Sequence, residues 1–225
     1  MIRAALALAL AAGPALAHEG EVGEVHVMPE SAARPAAERA AAPVTPLPFD
    51  LGGPFALVDQ GGAPRTEADP EGRMQLLFFG YANCPAICTA ALPMMADAAD
   101  ALSAAGVPAV PVMITVDPER DTVESIGAPL AAIHPEFVGL TGTPEALAAA
   151  RAVFGVEREL AMEHPELGPI YAHGSHVFLL SPAGEVLTLL PPILGAARAA
   201  EIAARYAVAA DRAAGPADDP APASP

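Results

Sequence analysis

Apolar positions recur along this chain with two different periods, and the switches between them mark out its elements. Residues 55–58 are a short apolar run that stops at the turn cluster Asp59-Gln60-Gly61-Gly62. Residues 74–79, rich in Leu and Phe, read as a buried strand. Residues 89–105 carry helical spacing on an Ala-rich background and stop at Gly106. Pro93 kinks that helix or marks where its regular part begins. Residues 107–116 are the next strand, ending in Asp117-Pro118-Glu119-Arg120-Asp121-Thr122. There Asp121 or Thr122 stands where it could cap a helix running to about His134. Residues 137–140 read as a short strand. Thr143 caps a helix over 144–154, with Pro144 at its first position and Gly155 at its end. Residues 176–180 form a strand, Ser181-Pro182-Ala183-Gly184 a turn, and 185–190 the returning partner. An Ala-rich helix over 195–210 closes the pattern.

Strand and helix therefore alternate before a final hairpin and helix. That order predicts an α/β fold: a central mixed sheet with helices on both faces and a C-terminal β-hairpin and helix. The periodic region, residues 49–212, is long enough for one domain with a sizeable core. Its flanks differ. Arg3, the apolar residues 4–12, the Gly13-Pro14 break and Ala15-Leu16-Ala17 have the layout of a secretory signal over 1–17. The apolar stretch is shorter than the about 20 residues a bilayer span needs, so cleavage after Ala17 is the expectation, with an uncleaved anchor as the alternative. Residues 18–48 read as a flexible leader and 213–225 as a disordered Ala/Pro/Asp tail. The expected result is an exported, soluble, periplasmic protein; the alternative is one held at the inner membrane by its N-terminus.

Charge narrows the partners. All 11 basic residues are Arg, against 27 acids, for a formal charge of −16. Removing the signal takes away Arg3 and no acid, which moves −16 to −17. A chain this acidic does not bind nucleic acid by charge, but it can be steered toward a basic protein face.

The two cysteines, Cys84 and Cys88, stand four apart between the strand at 74–79 and the helix that follows. As a structural staple this pair is poor, since closing so short a loop gains only roughly 2 kcal/mol. In an oxidising compartment an idle dithiol does not last, so a metal or a reducing partner is implied. A dithiol at a strand-to-helix junction points to a thioredoxin-like fold, where the helix N-terminus lowers a thiol pKa. The Cα atoms of residues four apart in a helix are about 6 Å from one another. That permits a disulfide more reducible than a structural one, and it also lets two thiolates converge on one soft ion, Cu(I) or zinc.

Two sulfurs leave such a shell incomplete. Among His18, His26, His134, His164, His173 and His176, the candidate for a third ligand is His173, just ahead of the last hairpin, where the loop of a thioredoxin-like sheet faces the dithiol. His176 has the wrong strand parity. His134 and His164 each precede a Pro in acidic or loop contexts. His18, His26 and Met28 in the leader form a weak second set of copper-compatible ligands.

The blocks Gly52-Gly53-Pro54-Phe55-Ala56-Leu57-Val58-Asp59-Gln60, Phe79-Gly80-Tyr81 with Cys84-Pro85 and Cys88, Val116-Asp117-Pro118-Glu119-Arg120-Asp121-Thr122, and Gly139-Leu140-Thr141-Gly142-Thr143 follow one another in order. With His173 nine residues ahead of Pro182, this succession resembles the Sco/SenC family of cytochrome c oxidase copper-assembly proteins. The resemblance implies one copper ion held by Cys84, Cys88 and His173. It also implies delivery of copper to the CuA centre of cytochrome c oxidase subunit II, as a metallochaperone without turnover. Two alternatives stay open. One is a thiol-disulfide oxidoreductase that reduces the CuA cysteines through Cys84 and Cys88; the other is a copper or redox sensor. Another periplasmic copper chaperone or a thiol reductant would be a further partner. The chain departs from the family pattern at Asn83, Ala86 and Ala172, which make the surroundings of the site less polar.

Overall fold

The computed structural model describes residues 43–82 and 84–213. The segment read as a signal, most of the leader with His18, His26 and Met28, Asn83, and the tail from 214 on lie outside the described residues.

Seven strands form one mixed sheet: β1 (Leu57–Asp59), β2 (Pro64–Arg65), β3 (Met74–Gly80), β4 (Ala109–Thr115), β5 (Val138–Thr141), β8 (Val177–Leu180) and β9 (Val186–Leu190). Their order across the sheet is β2-β1-β5-β4-β3-β8-β9. The three central strands β5, β4 and β3 run parallel, and antiparallel strands flank them on both sides. Every residue of β3 and β4 is buried, which is why those runs show no alternation in sequence.

Helix α1 (Cys88–Ala104) crosses from β3 to β4. It buries Ala91, Leu92, Met95, Ala98, Ala99 and Leu102 and leaves Pro93, Asp97 and Asp100 outside. The prediction for Pro93 is settled by this helix, which starts five residues earlier and runs through it on the exposed side. Helices α2 (Gly127–Ile133), α3 (Pro144–Val153) and α4 (Gly195–Ala213) complete the layers, with a 3-10 turn over Pro192–Leu194 ahead of α4. Side-chain parity along β3 sorts the faces. Phe78 and Gly80 share the face of α1, where a Cβ on Gly80 would lie 3.2 Å from the Cys88 sulfur. Phe79 points the other way, onto Phe154 at the end of α3, with ring centroids 5.4 Å apart. Helices thus cover both faces, as the alternation predicts.

Three expectations are corrected. The helix drawn from Asp121 or Thr122 to His134 is only Gly127–Ile133, and no side chain caps it. Asp121 is buried and spends its carboxylate elsewhere, on the Ala82 N–H and the Thr115 hydroxyl. The strand expected from His176 begins at Val177. The sequence pattern gives no sign of a second sheet, yet β6 (Glu159–His164) and β7 (Gly168–Ala172) form a hairpin outside the seven-stranded sheet. Thr143 does cap α3, accepting a hydrogen bond from the Ala146 N–H at 3.2 Å. Among the described residues, no helix is long and apolar enough to cross a membrane.

Candidate metal centre

The site forms where β3 passes into α1. Gly80 ends the strand, and the turn after it is closed by the Cys84 N–H donating to the Tyr81 carbonyl at 3.2 Å. Cys88 is the first residue of α1. No side chain caps that helix; the Thr89 and Ala90 N–H groups turn back to the Ala86 and Ile87 carbonyls, and the Ala86 and Cys88 N–H groups face the Cys84 sulfur. Both cysteines are free and buried.

His173 arrives from the opposite direction. It directly follows β7, on the hairpin that the sequence pattern missed. Its Nε2 lies 3.9 Å from Cys84 Sγ and 3.8 Å from Cys88 Sγ. The three donor atoms all fall within 4.8 Å of one another, and the residues are 7%, 2% and 4% exposed. The imidazole is wedged edge-on between Phe78 and Tyr81, with centroids at 5.6 and 5.7 Å. Its Nδ1 is buried without a hydrogen-bond partner among the described residues. Nε2, which stands within 4 Å of both sulfurs, is the nitrogen placed for coordination.

Ionisation of the pair is asymmetric. The Cys88 thiol as hydrogen-bond donor, then His173 and the N–H groups of Ala86 and Cys88, hold the Cys84 thiol down at about 4 against the cost of burial. Cys88 is pushed up from its ordinary value by that same bond to Cys84 and by burial. Burial, and the negative charge of Cys84, push the Tyr81 phenol up to about 12. The resting site therefore holds one thiolate, one thiol and an imidazole. Those are soft donors, and removing one proton yields a two-sulfur, one-nitrogen shell suited to Cu(I) or zinc.

The other histidines are placed elsewhere. His134 pairs through Nε2 with Asp100 at 3.1 Å and accepts from the Glu136 N–H through Nδ1. His164 accepts the N–H groups of Glu166 and Leu167 in the β6–β7 turn. His176 is exposed; it shares with His173 the wall of a groove of about 540 Å³, but it does not join the cluster. Ala86 and Ala172 are exposed beside the three donors, so the lost polarity falls on the mouth of the site.

Residues 44–208 match the SCO1/SenC family. Protein SCO1 homolog, mitochondrial, of Homo sapiens is 34% identical over 184 residues, which cover 81% of this chain and 59% of that protein. Protein SCO1 homolog 1, mitochondrial, of Arabidopsis thaliana is 36% identical over 133 residues, covering 59% and 40%. The chain spans about half the length of the curated relatives it matches. Among solved structures, Arabidopsis thaliana ScoI with copper bound superposes with a TM-score of 0.67 at 30% identity, over 71% of this chain and 99% of that one. Yeast Sco1 with copper bound gives 0.60 at 27% identity, over 77% and 92%.

Proposed function

Because the chain belongs to the SCO1/SenC family, we propose that it is a copper-binding protein of cytochrome c oxidase assembly that carries one copper ion on Cys84, Cys88 and His173 and passes it to the CuA site of subunit II. The observation that carries this reading is the convergence of two sulfurs and one imidazole nitrogen within 4.8 Å, all buried. Two similar chains were solved with copper bound, which supports copper as the cargo here. Uptake of Cu(I) releases the Cys88 proton, since that is the thiol still protonated at neutral pH. Delivery is ligand exchange: an acceptor thiolate joins the low-coordinate ion, a sulfur of this chain leaves, and the copper stays Cu(I) throughout. The signal-like N-terminus supports an exported, periplasmic setting, and His18, His26 and Met28 are proposed as a weak second metal site.

A second reading is favoured by the asymmetry of the thiols. Cys84, ionised, and Cys88, protonated, are arranged as attacking and resolving groups. Cys84 would attack a disulfide in the CuA site, releasing one acceptor thiolate. Cys88 would then lose its proton and attack the Cys84 sulfur, releasing the second. Two electrons pass to the acceptor, and this chain ends as the Cys84–Cys88 disulfide.

Anaerobic titration of the reduced chain with Cu(I), followed by mixing with an apo CuA domain, separates the two. Binding of one equivalent and transfer without loss of thiols supports delivery. Reduction of an oxidised acceptor with no metal transfer supports the reductase. A chain that binds no copper overturns the first reading.

A further inference from the structure

The loop between β4 and α2 takes no part in the donor set, yet it touches both halves of the site. Its Asp121 carboxylate accepts the Ala82 N–H at 3.0 Å and the Thr115 hydroxyl at 2.8 Å, which ties the cysteine turn to the end of β4. The neighbouring Arg120 points the other way, to the hairpin. Nη1 donates to the Leu167 carbonyl at 2.5 Å and Nη2 to the Pro169 carbonyl at 2.7 Å. These two carbonyls flank Gly168, whose φ of +71° makes the turn. A Cβ on Gly168 would stand 3.2 Å from Nη1, so the guanidinium lies against the hairpin backbone where a side chain would crowd it. The same guanidinium is ion-paired through Nε with the buried Asp117 and stands 5.5 Å from the centre of the Tyr81 ring. Tyr81 closes the circuit: its ring meets His173 edge-on, and its hydroxyl accepts the Tyr171 N–H at 3.3 Å.

We infer that Arg120 is the positioning residue for His173: it pins the β6–β7 hairpin, and so sets the distance of the imidazole from the two sulfurs. Among the described residues the hairpin pairs with no strand of the main sheet, so its place depends on such side-chain ties. A planar fork is needed, because one group must reach two carbonyls and a carboxylate at once. Lysine keeps the charge beside Asp117 and loses the fork. The inference rests on the proposed role of His173 as a ligand, and its test separates the two ideas.

Arg120→Lys is the main variant, because it leaves Asp117 paired. Arg120→Gln combined with Asp117→Asn is the second, removing both charges together so that no buried carboxylate is stranded. In the metal-free, reduced protein, amide exchange over residues 159–172 is expected to speed up about tenfold or more in each, while β3 is unchanged. Unchanged exchange in the hairpin overturns the inference. Cu(I) affinity, measured by competition with a chelator, is expected to fall about 10- to 100-fold, as for the loss of groups that orient a metal ligand. X-ray absorption should then show the nitrogen ligand lost or weakened. Placing Arg120→Lys in a His173→Ala background should add no further loss, since the arginine acts through the imidazole. Additive losses, or full affinity with nitrogen retained in Arg120→Lys, overturn it. If His173→Ala alone leaves affinity intact, the three-donor shell fails, and the exchange data still decide whether Arg120 pins the hairpin.

Discussion

Gly80 is the residue on which the dithiol rests. A Cβ there would meet the Phe78 ring at 2.8 Å and the Cys88 sulfur at 3.2 Å, and both residues are buried. Gly80→Ala should therefore cost about 1–3 kcal/mol by overpacking, read as a lowered Tm. It should also displace Cys88, read as weaker copper binding. The thiols make a sharper test. In the reduced protein the ultraviolet thiolate signal of Cys84 should persist down to about pH 4, while Cys88 stays protonated past the ordinary thiol value of 9.0. Because the folded value of Cys84 is the depressed one, its contribution to stability is full above about 9, declines as pH falls, and is gone below about 4. Two thiols titrating together near 9 would contradict the assignment. At this scale the sequence was most readable: spacing and context picked out Cys84, Cys88 and His173, which do lie together. It hid the work of Arg120 and Asp121, because a hydrogen bond to a distant backbone leaves no periodic trace. Asp121 looks like a helix cap in sequence, and only burial shows that it serves the cysteine turn instead.

The elements sort by how completely they join the main sheet. β3 and β4 read plainly because both of their faces are covered, and α3 because Thr143, Pro144 and Gly155 punctuate it. Thr143→Ala should cost about 1 kcal/mol, seen as a modest drop in Tm with copper affinity unchanged, since α3 lies on the face away from the site. The β6–β7 hairpin was illegible for a physical reason. Leu160 and Met162 are 54% and 51% exposed, so no buried face imposes alternation. A bulge between those two residues breaks the period again, and Pro169 interrupts the partner strand. A hairpin tied mainly by Arg120, Tyr81 and its own ladder should open more readily than the core. In the unaltered protein, amides over 159–172 are expected to exchange faster than those of Met74–Gly80; equal protection would mean that the hairpin is held by contacts other than these.

Across the whole molecule, charge and access govern the encounter. A formal charge of −16 with a pI near 4.5 favours a basic face on the acceptor. The second-order rate of copper transfer should then fall as salt rises, because the screening length is about 10 Å at 0.1 M. A rate independent of ionic strength would remove charge from the account. The last consequence comes from the mouth of the site. The donors are buried, yet their neighbours in the chain, Pro85, Ala86, Ala172 and Gly174, are all exposed and uncharged, so a partner that docks there meets small residues and no charge. On the proposed delivery role, an acceptor must dock against this rim before it takes the copper, and free chelators that cannot dock should strip the ion slowly even when they bind it tightly.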